Sequence, residues 1–306
     1  MTIAQLAAVR EARHGVRAFL RWHNVWASVS GANGMPYRYA HWYLLTLFPL
    51  VGLAFWPGYF SIFSASPLAL HAHAAAGTLW LAILAAQSWM IHNDARDIHR
   101  LVGAASLAAF PFFLATGAVV SVLMAQQFAN NLSPFDVMYD PRLGFGSIGF
   151  LIGFAYCYWQ GLRKRPKVHS HSRYMLATAI FLLPPIFARL CRYVPSLHIG
   201  GASDLWKFAL NIQIANALTA VIAFCLAWRA GKHGRPFLEA GVVIVMTDIL
   251  LQTVGVLPLW QRLFTVLARV PLPVAAAIAG AAGIIIAYGG WVSGRRPTSQ
   301  VRIAPA

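Results

Sequence analysis

Residues 70–103 read LHAHAAAGTLWLAILAAQSWMIHNDARDIHRLVG, and this stretch decides the fold class. His71 and His73 open it, and an apolar run then continues to His92. A helix rises about 1.5 Å per residue, so the two ends of the run lie roughly 30 Å apart, the thickness of a bilayer's hydrocarbon core. A short charged loop follows, and His99 begins the next apolar run. The stretch predicts two membrane-spanning helices with histidines at both membrane faces.

The composition of the whole chain agrees with a membrane protein. Of its 306 residues, 59% are hydrophobic and 10% are charged, whereas a soluble domain has about 25% charged residues. The net charge of +16 does not indicate a nucleic-acid partner, because the lysines and arginines lie in loops between apolar runs. Membrane topology and contact with lipid headgroups explain them better.

The apolar runs predict an all-α fold, a polytopic transmembrane helix bundle of about eight spans. The bundle occupies residues 41–293, between an N-terminal segment (1–40) and a tail (294–306). The predicted spans are 41–63, 69–92, 101–125, 145–162, 172–192, 206–228, 238–259 and 272–293. Pro49 and Pro57 are expected to kink the first span, and the small residues of the last one favour close helix packing.

The N-terminal segment has the pattern of an amphipathic helix that lies in the headgroup region. Its arginines recur at helical spacing between residues 10 and 21, and apolar residues occupy the other face. The alternative interpretation is a disordered basic tail, because no strong helix start signal precedes it.

The basic residues also predict the orientation. Most of the 24 lysines and arginines fall in the N-terminal segment, in alternate loops and in the tail. The exceptions are Arg142, Arg189, Arg192, Lys207, Arg262 and Arg269. Because positive charge marks the cytoplasmic side, both termini are expected to be cytoplasmic, in the bacterial inner membrane. An even number of spans is then required, which agrees with eight.

With this topology, several histidines form an inner layer at the cytoplasmic ends of the spans: His92, His99, His169 and His171. Imidazole is a ligand of haem iron and of transition metals, so all four are candidate metal ligands. His99 and His171, which open neighbouring spans at one depth, are the candidate axial ligands of a haem b. The alternative is that histidines in basic loops near anionic lipid hold no cofactor.

His71 and His73 form an outer layer at the head of the second span. Residues two apart on a helix differ by about 200°, so one helix cannot direct both rings at the same atom. Arg189 is expected near the outer end of its span, just past a pair of prolines. Together these three residues are candidate cofactor-binding groups, and they predict an outer pocket for a quinone headgroup or another anionic group.

A second polar set lies inside the predicted spans. Asp248 falls close to the middle of span 238–259, and Asn211 and Gln213 add amides to the preceding span. Charge at that depth is costly, so Asp248 and Arg189 are candidates for a substrate-binding site. The alternative is a buried ion pair that holds helices together.

Part of the chain resembles a family of uncharacterised bacterial multi-spanning membrane proteins, the domain of unknown function 2306. The resemblance covers residues 70–190 and is carried by His71, His73, Gly77, the run 99–103 (HRLVG), Gly117, the run 171–175 (HSRYM) and Arg189-Leu190. Tyr174 stands where the family pattern has a tryptophan. The resemblance implies that these histidines and Arg189 act as a set, but it implies no reaction.

The leading prediction is therefore a membrane redox or electron-transfer protein that binds one haem b or transition metal. A transporter or small-molecule-binding protein is the second hypothesis, with its site at Asp248 and Arg189 and with histidines as proton-coupled switches. A structural subunit of a larger complex is the third, and oligomers are compatible with all three. The sequence does not decide whether the protein is an enzyme.

Overall fold

The computed structural model describes residue 37 and residues 39–294. The described part of the chain is helical and contains no strand. The amphipathic helix predicted around residues 10–21 and the tail after residue 294 lie outside the described residues.

Ten α-helices follow one another in the described residues, with short 3-10 turns between some of them. They are α1 (Ala40–Phe55), α2 (Leu68–His92), α3 (Arg96–Ala129), α4 (Pro134–Arg163), α5 (Val168–Ile180), α6 (Leu183–Leu190), α7 (Trp206–Ala230), α8 (Arg235–Thr253), α9 (Pro258–Leu267) and α10 (Leu272–Ser293).

Within the described residues, six helical segments are long and apolar enough to cross a membrane. They are α2, α3, α5 together with α6 (Val168–Tyr193), α7 with its following turn (Trp206–His233), α8 and α10. Helix α1, with 16 residues, is shorter, and α4 is not among the six. The described part of the chain is therefore all-helical, and its apolar helices indicate a multi-pass membrane protein.

Prolines and left-handed residues set several helix boundaries. Asp94 and Asn131, with φ of 57° and 49°, occupy the turns on either side of α3, where Asp and Asn tolerate this backbone conformation. Pro184 and Pro185 stand at the start of α6, so the predicted span 172–192 is two helices rather than one. Leu257 is extended before Pro258, and α8 ends at Thr253.

These boundaries shift two of the predicted features. Helix α4 begins at Pro134, well before the predicted span 145–162, because Ser133 caps it by accepting a hydrogen bond from the Asp136 amide at 3.2 Å. Because α8 ends at Thr253, Asp248 lies nearer the end of its helix than the predicted span 238–259 placed it.

A buried aromatic cluster joins α2, α3, α4 and α5. The Trp80 indole donates to Thr178 Oγ1 at 2.9 Å and is fully buried. Its ring lies 4.9 Å from Phe154 and 5.2 Å from Tyr158, and Phe110 stacks on Tyr158 at 4.2 Å. Aromatic pairs in these arrangements add to the stability that burial itself contributes.

Close helix packing by the last helix is confirmed. A Cβ placed on Gly283 would lie 2.7 Å from the Cα of Pro111, and one placed on Gly290 would lie 3.1 Å from Trp159 and Leu162. Glycine at these positions lets α10 approach the backbones of α3 and α4.

Candidate functional site

The histidines His99 and His171 each have one ring nitrogen held by the main chain. Nδ1 of His171 lies 2.8 Å from the carbonyl oxygen of Gly161, and Nδ1 of His99 lies 3.4 Å from that of Gln87. A carbonyl only accepts hydrogen bonds, so the neutral rings carry the proton on Nδ1 and keep a lone pair on Nε2. Neither Nε2 has a hydrogen-bond partner among the described residues. His99 also lies within electrostatic range of His171.

The local fold explains both contacts. Gly161 belongs to the last turn of α4, where carbonyl groups have no donor within the helix. The turn at residues 164–167 brings α5 back to the C-terminal end of α4, so the His171 ring bonds the free carbonyl of Gly161 there. On the other side, the Gln87 side-chain amide donates to the His99 carbonyl at 2.9 Å, which ties α2 to the start of α3.

The other two inner-layer histidines lie elsewhere. His92 packs against His41 and Tyr39, at ring-centroid distances of 5.2 Å and 4.9 Å. His169 stacks on His233 at 4.7 Å with nearly parallel rings. In the part of the chain described, no three or more His, Cys, Asp or Glu side chains come together as a group that could hold an ion. The structure therefore does not gather all four histidines, and among them His99 and His171 lie within electrostatic range of each other.

The outer-layer histidines contact hydroxyl groups on different parts of the fold. The Tyr59 hydroxyl lies 2.8 Å from Nδ1 of His71, in the segment between α1 and α2. Thr116 Oγ1, on α3, lies 3.4 Å from Nδ1 of His73, whose ring packs on Phe113 at 5.6 Å. The two rings thus point to different neighbours, as their separation around the helix predicts.

Arg189 lies near His73, close enough for its charge to act on that ring. Its guanidinium packs over Phe55 of α1 at 4.4 Å and donates to the Pro185 carbonyl at 3.1 Å. The side chain is exposed and makes no ion pair with a described residue. These contacts leave donors of Arg189 accessible near His73.

Asp248 is joined to an amide rather than to an arginine. Asn216 Nδ2 donates to Asp248 Oδ1 at 2.7 Å, across the interface between α7 and α8. No ion pair links Asp248 to Arg189 in the described residues. Asn211 donates to the Leu197 carbonyl at 3.2 Å, and Gln213 is exposed on the surface of α7.

A carboxylate that the sequence did not single out has the densest set of partners. Glu239 Oε2 accepts from the Tyr174 hydroxyl at 2.7 Å and from the Tyr156 hydroxyl at 3.0 Å. Glu239 Oε1 accepts from Arg235 Nε at 2.6 Å. Lys164 Nζ donates to the Tyr174 hydroxyl at 3.2 Å, so this cluster joins α4, α5 and α8 on the face that carries the inner layer.

Lys164 contributes an amino group to this cluster, and Tyr174 contributes a hydroxyl group. Burial lowers the pKa of Lys164, and the nearby Glu239 carboxylate acts in the opposite direction. The Tyr174 hydroxyl both donates and accepts here, whereas the indole of a tryptophan can only donate. The available sequence signal was the spacing of Arg235 and Glu239, four apart at the start of an apolar run.

Comparison with known proteins adds no assignment: no family model, no curated protein and no solved structure matches this chain.

Proposed function

We propose that the bundle crosses the bacterial inner membrane eight times, with both termini cytoplasmic. Helices α1 and α4 would supply the two spans beyond the six apolar segments. Their contacts support this: the His41 amide of α1 donates to Ser88 Oγ of α2 at 3.0 Å, and the Tyr158 hydroxyl of α4 lies 3.0 Å from Ser106 Oγ of α3. The distribution of lysine and arginine supports the orientation.

We further propose that the protein is a membrane redox or electron-transfer protein that binds one haem b through His99 and His171. The observation that carries the proposal is the pair of imidazoles whose Nδ1 atoms are held by main-chain carbonyls. Metal-ligating histidines usually donate their second nitrogen in this way, which sets the tautomer and the ring orientation.

The donor set favours haem over a bare metal ion. Structural zinc sites use four protein ligands and catalytic zinc sites use three, and the described residues do not gather such a group. A porphyrin supplies four ligands itself, so two imidazoles complete the coordination of its iron. When bound, haem supplies one-electron redox chemistry.

The chain's own residues would orient the cofactor and receive its reaction partner. The Gly161 and Gln87 carbonyls would keep both Nε2 atoms unprotonated and directed away from their own helices. At the other end of the bundle, Arg189 with His71 and His73 would bind a quinone headgroup or a similar small polar group. Tyr59 and Thr116 would hold these two rings.

An absorption spectrum of the detergent-purified protein, oxidised and then reduced with dithionite, tests the haem directly. We expect a Soret band with sharp reduced α and β bands, and iron at one per chain. His99→Ala and His171→Ala should each remove the spectrum. His198→Ala is the matched control, because this exposed histidine also bonds a main-chain carbonyl through Nδ1, that of Arg192 at 3.1 Å. Protein without a Soret band would refute the proposal, whether or not a metal is bound.

A transporter or small-molecule-binding protein is the second candidate, and the Asn216–Asp248 contact favours it. Asn216 is buried, and its Oδ1 has no hydrogen-bond partner in the described residues; the same holds for Oδ1 of Asn211. Unpaired polar atoms inside a helix bundle mark a site for water, an ion or a substrate. This function predicts haem-free protein that loses ligand binding in Asp248→Asn and keeps it in His99→Ala.

A further inference from the structure

An open groove is lined by the end of α7, the turn after it and the start of α8. Its volume is about 640 Å³. It is lined by Phe224, Ala227, Trp228, Gly231, Lys232, Gly234, Arg235, Leu238 and Glu239. Both helices belong to segments apolar enough to cross a membrane, so the turn between them lies at the boundary of the bilayer.

The part of the groove that faces into the membrane is apolar. Phe224 and Leu238 are exposed at 37% and 48%, and Ala227 belongs to the same lining. Such an apolar surface packs favourably against hydrocarbon chains, and it does not attract a soluble anion.

The end of the groove at the bilayer boundary is cationic. Lys232 is exposed in the 3-10 turn Gly231–His233 and makes no ion pair with a described residue. Arg235 is also exposed and bonds Glu239 through Nε alone, so both of its terminal nitrogens remain as donors. Glu239 itself lines the groove, but its charge is compensated by Arg235 and by two tyrosine hydroxyls. Lys232 therefore adds uncompensated positive charge to this end.

We propose that this groove is a binding site for an anionic phospholipid. The phosphate would lie between Lys232 and Arg235, where an arginine fork suits phosphate oxygens. One acyl chain would follow Phe224 and Leu238 toward the membrane interior. Basic pockets between transmembrane helices on the cytoplasmic side bind anionic headgroups in this way. The site is independent of His99 and His171, so its test does not depend on the haem.

Native mass spectrometry of the delipidated, detergent-purified full chain tests this proposal. Dioleoyl phosphatidylglycerol is titrated in, with dioleoyl phosphatidylcholine as the neutral lipid and inorganic phosphate as the headgroup alone. We expect one phosphatidylglycerol to bind with saturation, and the other two to bind at least about fivefold more weakly, which corresponds to the loss of one charged contact.

Two variants locate the site. Lys232→Gln should weaken phosphatidylglycerol binding about fivefold, and Leu238→Asp should weaken it further by placing a negative charge on the acyl-chain path. Lys167→Gln is the matched control, because Lys167 is exposed on the same face and does not line the groove. The proposal fails if Lys167→Gln weakens binding as much as Lys232→Gln, if phosphatidylcholine binds as well as phosphatidylglycerol, or if free phosphate competes with the lipid at equal concentration.

Discussion

The two histidine layers differ in what holds their rings. In the inner pair, Nδ1 of His99 and of His171 faces a main-chain carbonyl. In the outer pair, Nδ1 of His71 and of His73 faces a hydroxyl group, from Tyr59 and Thr116. A carbonyl can only accept a hydrogen bond, whereas a hydroxyl can donate or accept.

This difference in hydrogen-bond partners suits the inner and outer histidines to different chemistry. The carbonyl contacts allow only one neutral tautomer, which suits a permanent ligand that keeps its Nε2 lone pair toward iron. The Tyr59 hydroxyl accommodates both tautomers of His71, so that ring can exchange a proton without losing its partner. The Thr116 hydroxyl already donates to the Phe113 carbonyl at 3.1 Å, so it accepts from Nδ1 of His73. One end of the bundle is therefore suited to holding a cofactor, and the other to exchanging protons with a bound molecule.

The largest expected effect tests this division directly. Under the proposed function, His171→Ala would remove an axial ligand, and we expect haem affinity to fall by more than about 100-fold, since losing even an outer-shell partner of a ligand costs roughly 10- to 100-fold. His73→Ala should leave the haem spectrum intact. Haem titration of both variants, followed at the Soret band, provides the measurement. Equal losses in the two variants would mean that the layers do not have separate roles.

A second prediction concerns the rigidity of the inner end. Glu239→Ala leaves two tyrosine hydroxyls and Arg235 without their common acceptor. We expect the free energy of unfolding to fall by about 3 kcal/mol, the cost of breaking a partly buried charged network. Thermal unfolding in detergent measures it, with Glu239→Gln as the variant that keeps an acceptor oxygen and should lose less. An unchanged Tm in Glu239→Ala would show that the cluster does not stabilise this end.

Thr116→Val sharpens the comparison at the outer end. It keeps the size of a buried side chain but removes the hydroxyl partner of His73. We expect a loss of about 1 kcal/mol in the free energy of unfolding, typical of one neutral hydrogen bond, with haem binding unchanged. Unfolding and Soret measurements on one preparation test both statements. A weakened haem signal would contradict the independence of the two layers.

The smallest effect is a pH dependence at Tyr59. Burial raises the pKa of Tyr59 above the ordinary value of 10.0. The Tyr59 hydroxyl therefore makes its full contribution to the free energy of unfolding below pH 10, and this contribution is lost as the pH rises through the raised pKa.

Comparing Tm for the wild type and Tyr59→Phe tests this sign. The wild type should be the more stable of the two by about 1 kcal/mol at pH 8, and the difference should shrink above pH 10. A difference that grows with pH would contradict it.

Much of the fold could be read from the sequence, because the signals are local. Apolar runs of membrane length predicted the helical class, although the predicted span 172–192 is divided into two helices at Pro184 and Pro185. Small residues in the last span predicted close packing, which Gly283 and Gly290 confirm. Helix starts were harder, as at Pro134, because a serine cap carries the chain into helix through residues that are not strongly apolar.

The partners of polar side chains could not be predicted. Whether His169 faces His171 or His233 depends on how α5 is rotated against the α7–α8 turn, and the structure stacks it on His233. Glu239 was missed because its partners Tyr156 and Tyr174 are distant in sequence and are brought together only by packing of α4, α5 and α8.

By itself, the sequence determined that this protein is a helical, multi-pass membrane protein with histidines near both ends of its helices. These properties follow from hydropathy and spacing along one chain. Only the tertiary structure decided that His99 and His171 have carbonyl-anchored rings, that Asp248 bonds an amide, and that a carboxylate with three donors lies beside a cationic groove. The physical reason is that a hydrogen bond depends on distance and direction between helices, and these depend on the packing of many apolar side chains at once.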